Sequence, residues 1–311
     1  MKTRQEIKAA AREAMAAQRG TAILLTLVVI GLSFVLSIAS TALDAVVLLT
    51  TGMGALYWTV YFVGLIIIMV VPMVATINMI GQYIKIYKNE TASVGAVFSE
   101  MQTNFWRKLG GYLWMTLFLT LWAFLFGIPV GIILYFMGMG QMFASDALLH
   151  DPVAMAGQMA GFTFVLIIAI YVPLIIKALA YFFTANVLAD CPNVKATDAI
   201  KISMKITKGH RWAIFVFVLS FLGWFLLPMV AVVAFALLEF VGVAILAMLA
   251  LFVFLIVYVT PYFYTADAGL YLELKNKALE DGVITYEDLG EEPPAEENKT
   301  DFFAIDESNE N

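Results

Sequence analysis

The stretch "ADCPNVKATDAIKISMKITKGHRW", residues 189–212, carries five Lys or Arg side chains, the only cysteine and one of the two histidines of an otherwise oil-rich chain. On a helical wheel Ala196, Ala199, Ile200, Ser203, Ile206 and Thr207 share one face, while Asp198, Lys201, Lys205 and Lys208 share the other. That pattern predicts an amphipathic helix over 193–208, lying flat at the inner face of a membrane. Pro192 and Asn193 supply start signals, and Gly209 stands where a left-handed terminating residue belongs. Trp212 follows at the level of the headgroups. Lys201, Lys205, Lys208 and Arg211 are the candidate contacts to anionic inner-leaflet headgroups, each worth about 1 kcal/mol close to the surface.

Metal or catalytic chemistry is a poor reading of the same stretch. Zinc needs three or four donors; Cys191 and His210 are two, and His150 falls on the opposite side of the membrane. A Cys–His nucleophile pair fails on distance, because a helix of roughly 24 Å separates the two residues. A single cysteine also forms no internal disulfide. The chain is therefore expected to be non-enzymatic, with no cofactor and no metal, and nucleic acid is not an expected partner.

The rest of the chain explains why a basic helix should lie on a membrane. Hydrophobic residues make up 62% and charged residues 14%, against about 25% charged in soluble domains. Apolar runs predict an all-α bundle of six transmembrane helices, at 21–43, 56–80, 112–137, 162–183, 213–235 and 241–264. The last two are joined by a hairpin near Glu239 and Gly242, since one crossing cannot absorb so long a run. "SIASTA" in the first span resembles a cleavage site, but the apolar run is too long for a signal peptide, so a retained span is expected.

Basic residues sort to one side. Lys2 to Arg19, Lys85 to Lys108, Lys195 to Arg211 and Lys275 to Lys299 all fall in alternate connections, whereas the connections at Asp44, at 146–151 and at Glu239 hold no Lys or Arg. The positive-inside rule places both termini in the cytoplasm. The net charge of −6 belongs to the C-terminal end, where residues 280–311 hold twelve acids and one base. The expected organisation is an N-terminal amphipathic helix at 1–20, a membrane domain at 21–265 with surface helices near 92–108 and 193–208, and a cytoplasmic helix with an acidic disordered tail at 266–311.

A parallel internal repeat is also visible. Val71-Pro72 matches Val172-Pro173 at an offset of 101 residues, and Trp122 matches Trp224 at 102. Each unit reads span, surface helix, span, in the same sense across the membrane. "YFFTAN" at Tyr181 and "YFYTAD" at Tyr262 extend the match, suggesting a third unit split between the chain ends.

The segment from Leu188 to Pro228, with "TPYFYTADAGLYLEL" after it and "IKAAAREAM" near the start, resembles the bacterial integral membrane proteins catalogued as domain of unknown function 975. Ala189-Asp190, Ala199 to Met204, Gly209-His210, Ser220 to Trp224 and Pro261-Tyr262 carry the likeness, which spans most of residues 1–273. The resemblance implies a multi-pass plasma-membrane protein without an assigned activity.

Lys177 is the one charge well inside a span. It is a candidate intramembrane polar site, weighed against snorkelling or pairing with Asp267 or Asp190. Asp44 and Glu239 sit at outer span ends, and the GxxxG pairs at Gly127/Gly131 and Gly157/Gly161 read as helix-packing positions. The function expected is an envelope-associated or partner-binding membrane protein, the acidic tail being one route to a protein partner; the alternative is a transporter or lipid-handling protein.

Overall fold

The computed structural model describes residues 2–143, 152–237 and 241–293, and among them every regular element is a helix. Helix α1 (Arg4–Ala17) opens on a reciprocal cap, in which the Thr3 side chain accepts from Glu6 N–H and the Glu6 carboxylate accepts from Thr3 N–H. There follow α2 (Arg19–Thr51), α3 (Ala55–Tyr87), α4 (Val94–Phe143), α5 (Pro152–Ala180), α6 (Thr184–Asp190), α7 (Ala196–Thr207), α8 (Arg211–Leu237), α9 (Val241–Phe254) and α10 (Thr260–Glu280), with a π-helical turn at Leu255–Val259.

Among the described residues, five helices are long and apolar enough to cross a membrane: Arg19–Thr51, Ala55–Tyr87, Val94–Ile133, Ile167–Asp190 and Ile245–Glu280. Helix α8 adds a shorter apolar segment, Arg211–Trp224. The loop expected at 146–151 and the turn expected at Glu239 lie outside the described residues.

Several expected boundaries move. Helix α2 runs past Asp44 to Thr51 and stops only where Gly52 takes φ +70, so Asp44 lies on a helix rather than in a connection. The surface helix expected at 92–108 is the first part of α4, whose backbone breaks at Asn104 (φ −129, ψ 24). The helix expected after span six is continuous with it. Pro261 has no N–H to offer the preceding turn, and the ladder there slips to i→i+5, with Thr260 N–H donating to Leu255 O. The amphipathic helix of the quoted stretch is α7, and its predicted apolar residues Ala199, Ile200, Ser203, Ile206 and Thr207 are buried, joined by Ile202. Gly209 ends it at φ +84.

Burial is concentrated at one end of the helices. Ile7 and Ala11 of α1, Val74 to Ile86 of α3, Phe183 to Leu188, the inner face of α7 and Ala266 to Ala278 of α10 form the core. The same long helices expose large apolar side chains elsewhere, such as Phe34 at 65%, Met69 at 69% and Leu246 at 69%. Lys2 and Tyr262 tie α1 to α10: Lys2 Nζ lies 3.1 Å from Glu273, and Tyr262 donates to Lys8 O at 3.4 Å.

Among the described glycines, close approach falls at positions other than Gly127, Gly131 and Gly161. A Cβ at Gly127, Gly131 or Gly161 would meet nothing within 4 Å, whereas one on Gly269 would fall inside the Tyr87 ring. Gly269→Ala should therefore lower stability by about 1–3 kcal/mol through overpacking. Tyr87→Leu in the same chain should restore most of it, both read from thermal unfolding in detergent.

Candidate functional site

The buried end is lined with polar groups that the fold must satisfy. Arg107 lies three residues beyond the α4 break and points its guanidinium at the C-terminal end of α6. It donates to Leu188 O (2.6 Å), Val194 O (3.0 Å) and Cys191 O (3.2 Å). Helix α6 is only seven residues long, and Leu188 O would look for its donor at Pro192, which has no N–H, so Arg107 supplies the donor the helix lacks; Cys191 O also accepts from Val194 N–H at 3.3 Å.

Its neighbour Lys108 is 3% exposed and joins α4 to α3. Its ammonium donates to Asn78 Oδ1 and lies 3.4 Å from Glu100. Asn78 Nδ2 donates to Val97 O at 2.8 Å, and Gln82 bridges Glu100 and Ser93 N–H at 3.0 Å each. A cation this buried is tolerated because both a carboxylate and an amide oxygen face it.

A third group centres on Lys275 of α10. Its Nζ lies 2.7 Å from Asp190, 2.8 Å from Glu291 and 3.6 Å from Cys191 Sγ, while Lys88 and the Tyr271 hydroxyl reach Asp190 at 3.1 Å each. Asp190, Cys191 and Glu291 have their ligand atoms within 4.8 Å of one another, the spacing of a metal site. The Lys275 ammonium already supplies the positive charge those groups face. Burial pushes the Cys191 thiol up to about 12, the nearby Lys275 opposing this only in part. A thiol held protonated is a poor nucleophile. His210 lies apart from this set, its pKa lowered by burial and then by Lys277.

Asn186 and Asp267, the last residues of the two matching hexapeptides, meet each other: Asn186 Nδ2 donates to Asp267 Oδ2 at 2.9 Å, and Asp267 Oδ1 has no partner. Asp267 and Asp190 are thus engaged elsewhere and neither pairs with Lys177. The Lys177 ammonium instead lies 3.7 Å from the centroid of the Trp122 ring, a cation–π contact, and Trp122 Nε1 donates to the Tyr181 hydroxyl at 3.1 Å.

The four basic residues predicted to touch headgroups are dispersed. Lys201 bonds Asp198 within α7 at 2.8 Å, Lys205 pairs with Asp288 at 2.8 Å, and Lys208 is exposed. Arg211 and Trp212 border an apolar groove of about 320 Å³ with Val172, Ile175, Ile176 and Phe215. Asp288 belongs to the acidic stretch expected to be disordered. Up to Pro293 that stretch is folded onto the core, with Ile284 and Leu289 buried, because two apolar residues and the Glu291–Lys275 pair offset its charge. The remainder, 294–311, lies outside the described residues.

The fold and this polar end define an all-helical protein whose long apolar helices are compatible with a membrane. The chain belongs to the family described as protein of unknown function (DUF975), whose model matches residues 1–278. No curated protein and no solved structure matches it.

Arg107→Met should unfold more readily by about 2–3 kcal/mol, leaving buried carbonyls without donors. Arg107→Lys should recover only part, since one ammonium cannot span three acceptors; denaturation midpoints in detergent check both. Cys191 should resist maleimide at about pH 8 in the folded protein and label fully once denatured, as mass spectrometry would read.

Proposed function

We propose that the chain is a six-span protein of the bacterial plasma membrane with both termini cytoplasmic, acting without catalysis as an envelope-associated or partner-binding protein. The observation that carries this reading is the coincidence of the buried, polar end of the bundle with its basic end. Arg107, Lys108, Lys88 and Lys275 lie in or beside the core, while the opposite reaches of α2, α3 and α9 expose apolar side chains suited to lipid. Helix α8 would be the sixth span, and Lys201, Lys205, Lys208 and Arg211 would form the headgroup-facing band.

A triple repeat supports the same architecture. Thr76-Ile77-Asn78, Thr184-Ala185-Asn186 and Thr265-Ala266-Asp267 place a buried amide or acid at matching points of three helices. Three residues after Met15 the backbone breaks at Gln18 (φ −127, ψ 35), and three residues after Met101 it breaks at Asn104 (φ −129, ψ 24). Helix α1 and the first part of α4 then play one role, a short cytoplasmic helix leading into a span. Arg19 packs over the Tyr258 ring at 5.0 Å, which brings the first and last spans together as a unit split between the chain ends requires.

The transporter or lipid-handling reading draws on one observation, the bare carboxylate oxygen of Asp267. A carboxyl with one amide donor is costly to bury as a structural group alone.

A reporter tag inserted at residues 144–151 should be accessible only from outside the cell, and tags at either terminus only from the cytoplasm. Cytoplasmic accessibility of the 144–151 tag would reject the topology and the headgroup role of α7 with it.

A further inference from the structure

Residues 284–291 occupy a seat made by the α6–α7 connection, α7 and α10. Leu289 is fully buried there, and Glu291 reaches Lys275 at 2.8 Å. Asp288 pairs with Lys205 at 2.8 Å, and Asn193 Nδ2 donates to Gly290 O at 3.0 Å. Gly290 has φ +63, and a Cβ on it would come 2.7 Å from Asn193, so the backbone itself lies against the seat. Thr285 and Asp288 bond each other's backbone N–H, which closes the docked segment into a turn. The fit is partial, because a polar cavity of about 550 Å³ remains between α7 and the segment, lined by Asp198, Lys201, Lys205, Glu287 and Asp288.

The family model covers the seat and ends before its occupant. Asp190, Cys191, Asn193, Lys205, Tyr271 and Lys275 all fall within residues 1–278, the part matched to the family, whereas the whole docked segment lies beyond it. The seat's chemistry is two ammonium groups flanking an apolar socket, with an amide donor for a backbone carbonyl. That is complementary to an acidic peptide turn carrying a leucine between two acids, the pattern Asp288-Leu289-Gly290-Glu291 presents, with Leu289 N–H donating to Thr285 O and Glu291 N–H to Tyr286 O. We propose that this seat is a docking site for an acidic, leucine-anchored segment of another protein, and that residues 284–291 are a tethered competitor for it.

The tether sets the affinity required. Only 281–283 separate α10 from the docked segment, so its effective concentration is on the order of millimolar and a partner must exceed it or arrive when the segment has lifted. The proposal goes beyond the membrane reading above and holds for either orientation of the chain.

The test uses the full chain in detergent micelles, with the segment disengaged by Leu289→Asp plus Glu291→Lys, and a fluorescent peptide of residues 282–293 as probe. Asp288→Lys, which sets two exposed cations together without burying a charge, is the second variant should the first unfold. Saturable binding to a disengaged variant, at least about tenfold weaker to the unaltered chain and abolished by Leu289→Asp in the peptide, is expected. A folded disengaged variant that ignores the peptide, or binds both peptides alike, overturns the proposal. So does displacement of bound peptide by anionic phospholipid at concentrations where zwitterionic lipid has no effect, which would reassign the seat to headgroups.

Discussion

A cation taken out of water must find acceptors, and this fold buries Lys108 and Lys275 and half-buries Arg107 at one end of an apolar bundle. Arg107, Lys108 and Lys275 are each held by groups from another helix or its connection: carbonyls at the end of α6, Asn78 of α3 and Asp190 of α6. Buried ion pairs are poor sources of net stability but severe penalties when one partner is lost. The arrangement therefore specifies which helix ends meet more than how tightly they hold. The apolar contacts around Phe183, Phe217 and Tyr271 supply the burial, and the cations restrict it to one packing.

How much of this could be read from the chain depended on whether the signal was periodic or positional. The α7 face was legible because lysines at spacings of three and four leave only one apolar stripe. Most spans were legible because hydropathy accumulates over about 20 residues. Arg107, Lys108, Asn186 and Asp267 gave no such signal. A lone charge next to a span looks the same whether it faces water or an α6 carbonyl, and tertiary contact alone separates the two cases. Even so, "RKLGG" holds a clue: two glycines one residue beyond two cations allow the close approach that brings Gly111 against Leu188.

The first part of the acidic stretch, up to Glu291, departs from its expected disorder for a related reason. Composition averages over its length and reports a net charge that cannot support a core. Packing depends on single residues instead, and Ile284, Leu289 and Glu291 each meet a matching site. Lys177 shows the converse. Snorkelling and a carboxylate partner are its expected structural outcomes, yet the face of Trp122, one turn from Phe126 on the same helix, meets the ammonium without burying a second charge.

The widened turn at Leu255–Val259 adds one residue to an otherwise regular helix. One residue corresponds to about 100° of rotation around the helix axis. Every side chain downstream of Pro261 is thereby re-aimed as a set, so that Asp267, Tyr271 and Lys275 face the interior while α9 keeps its oily surface outward. A helix that greets lipid with one azimuth and its own protein with another needs such a phase shift, and here the imino acid that removes a donor also marks where the shift occurs.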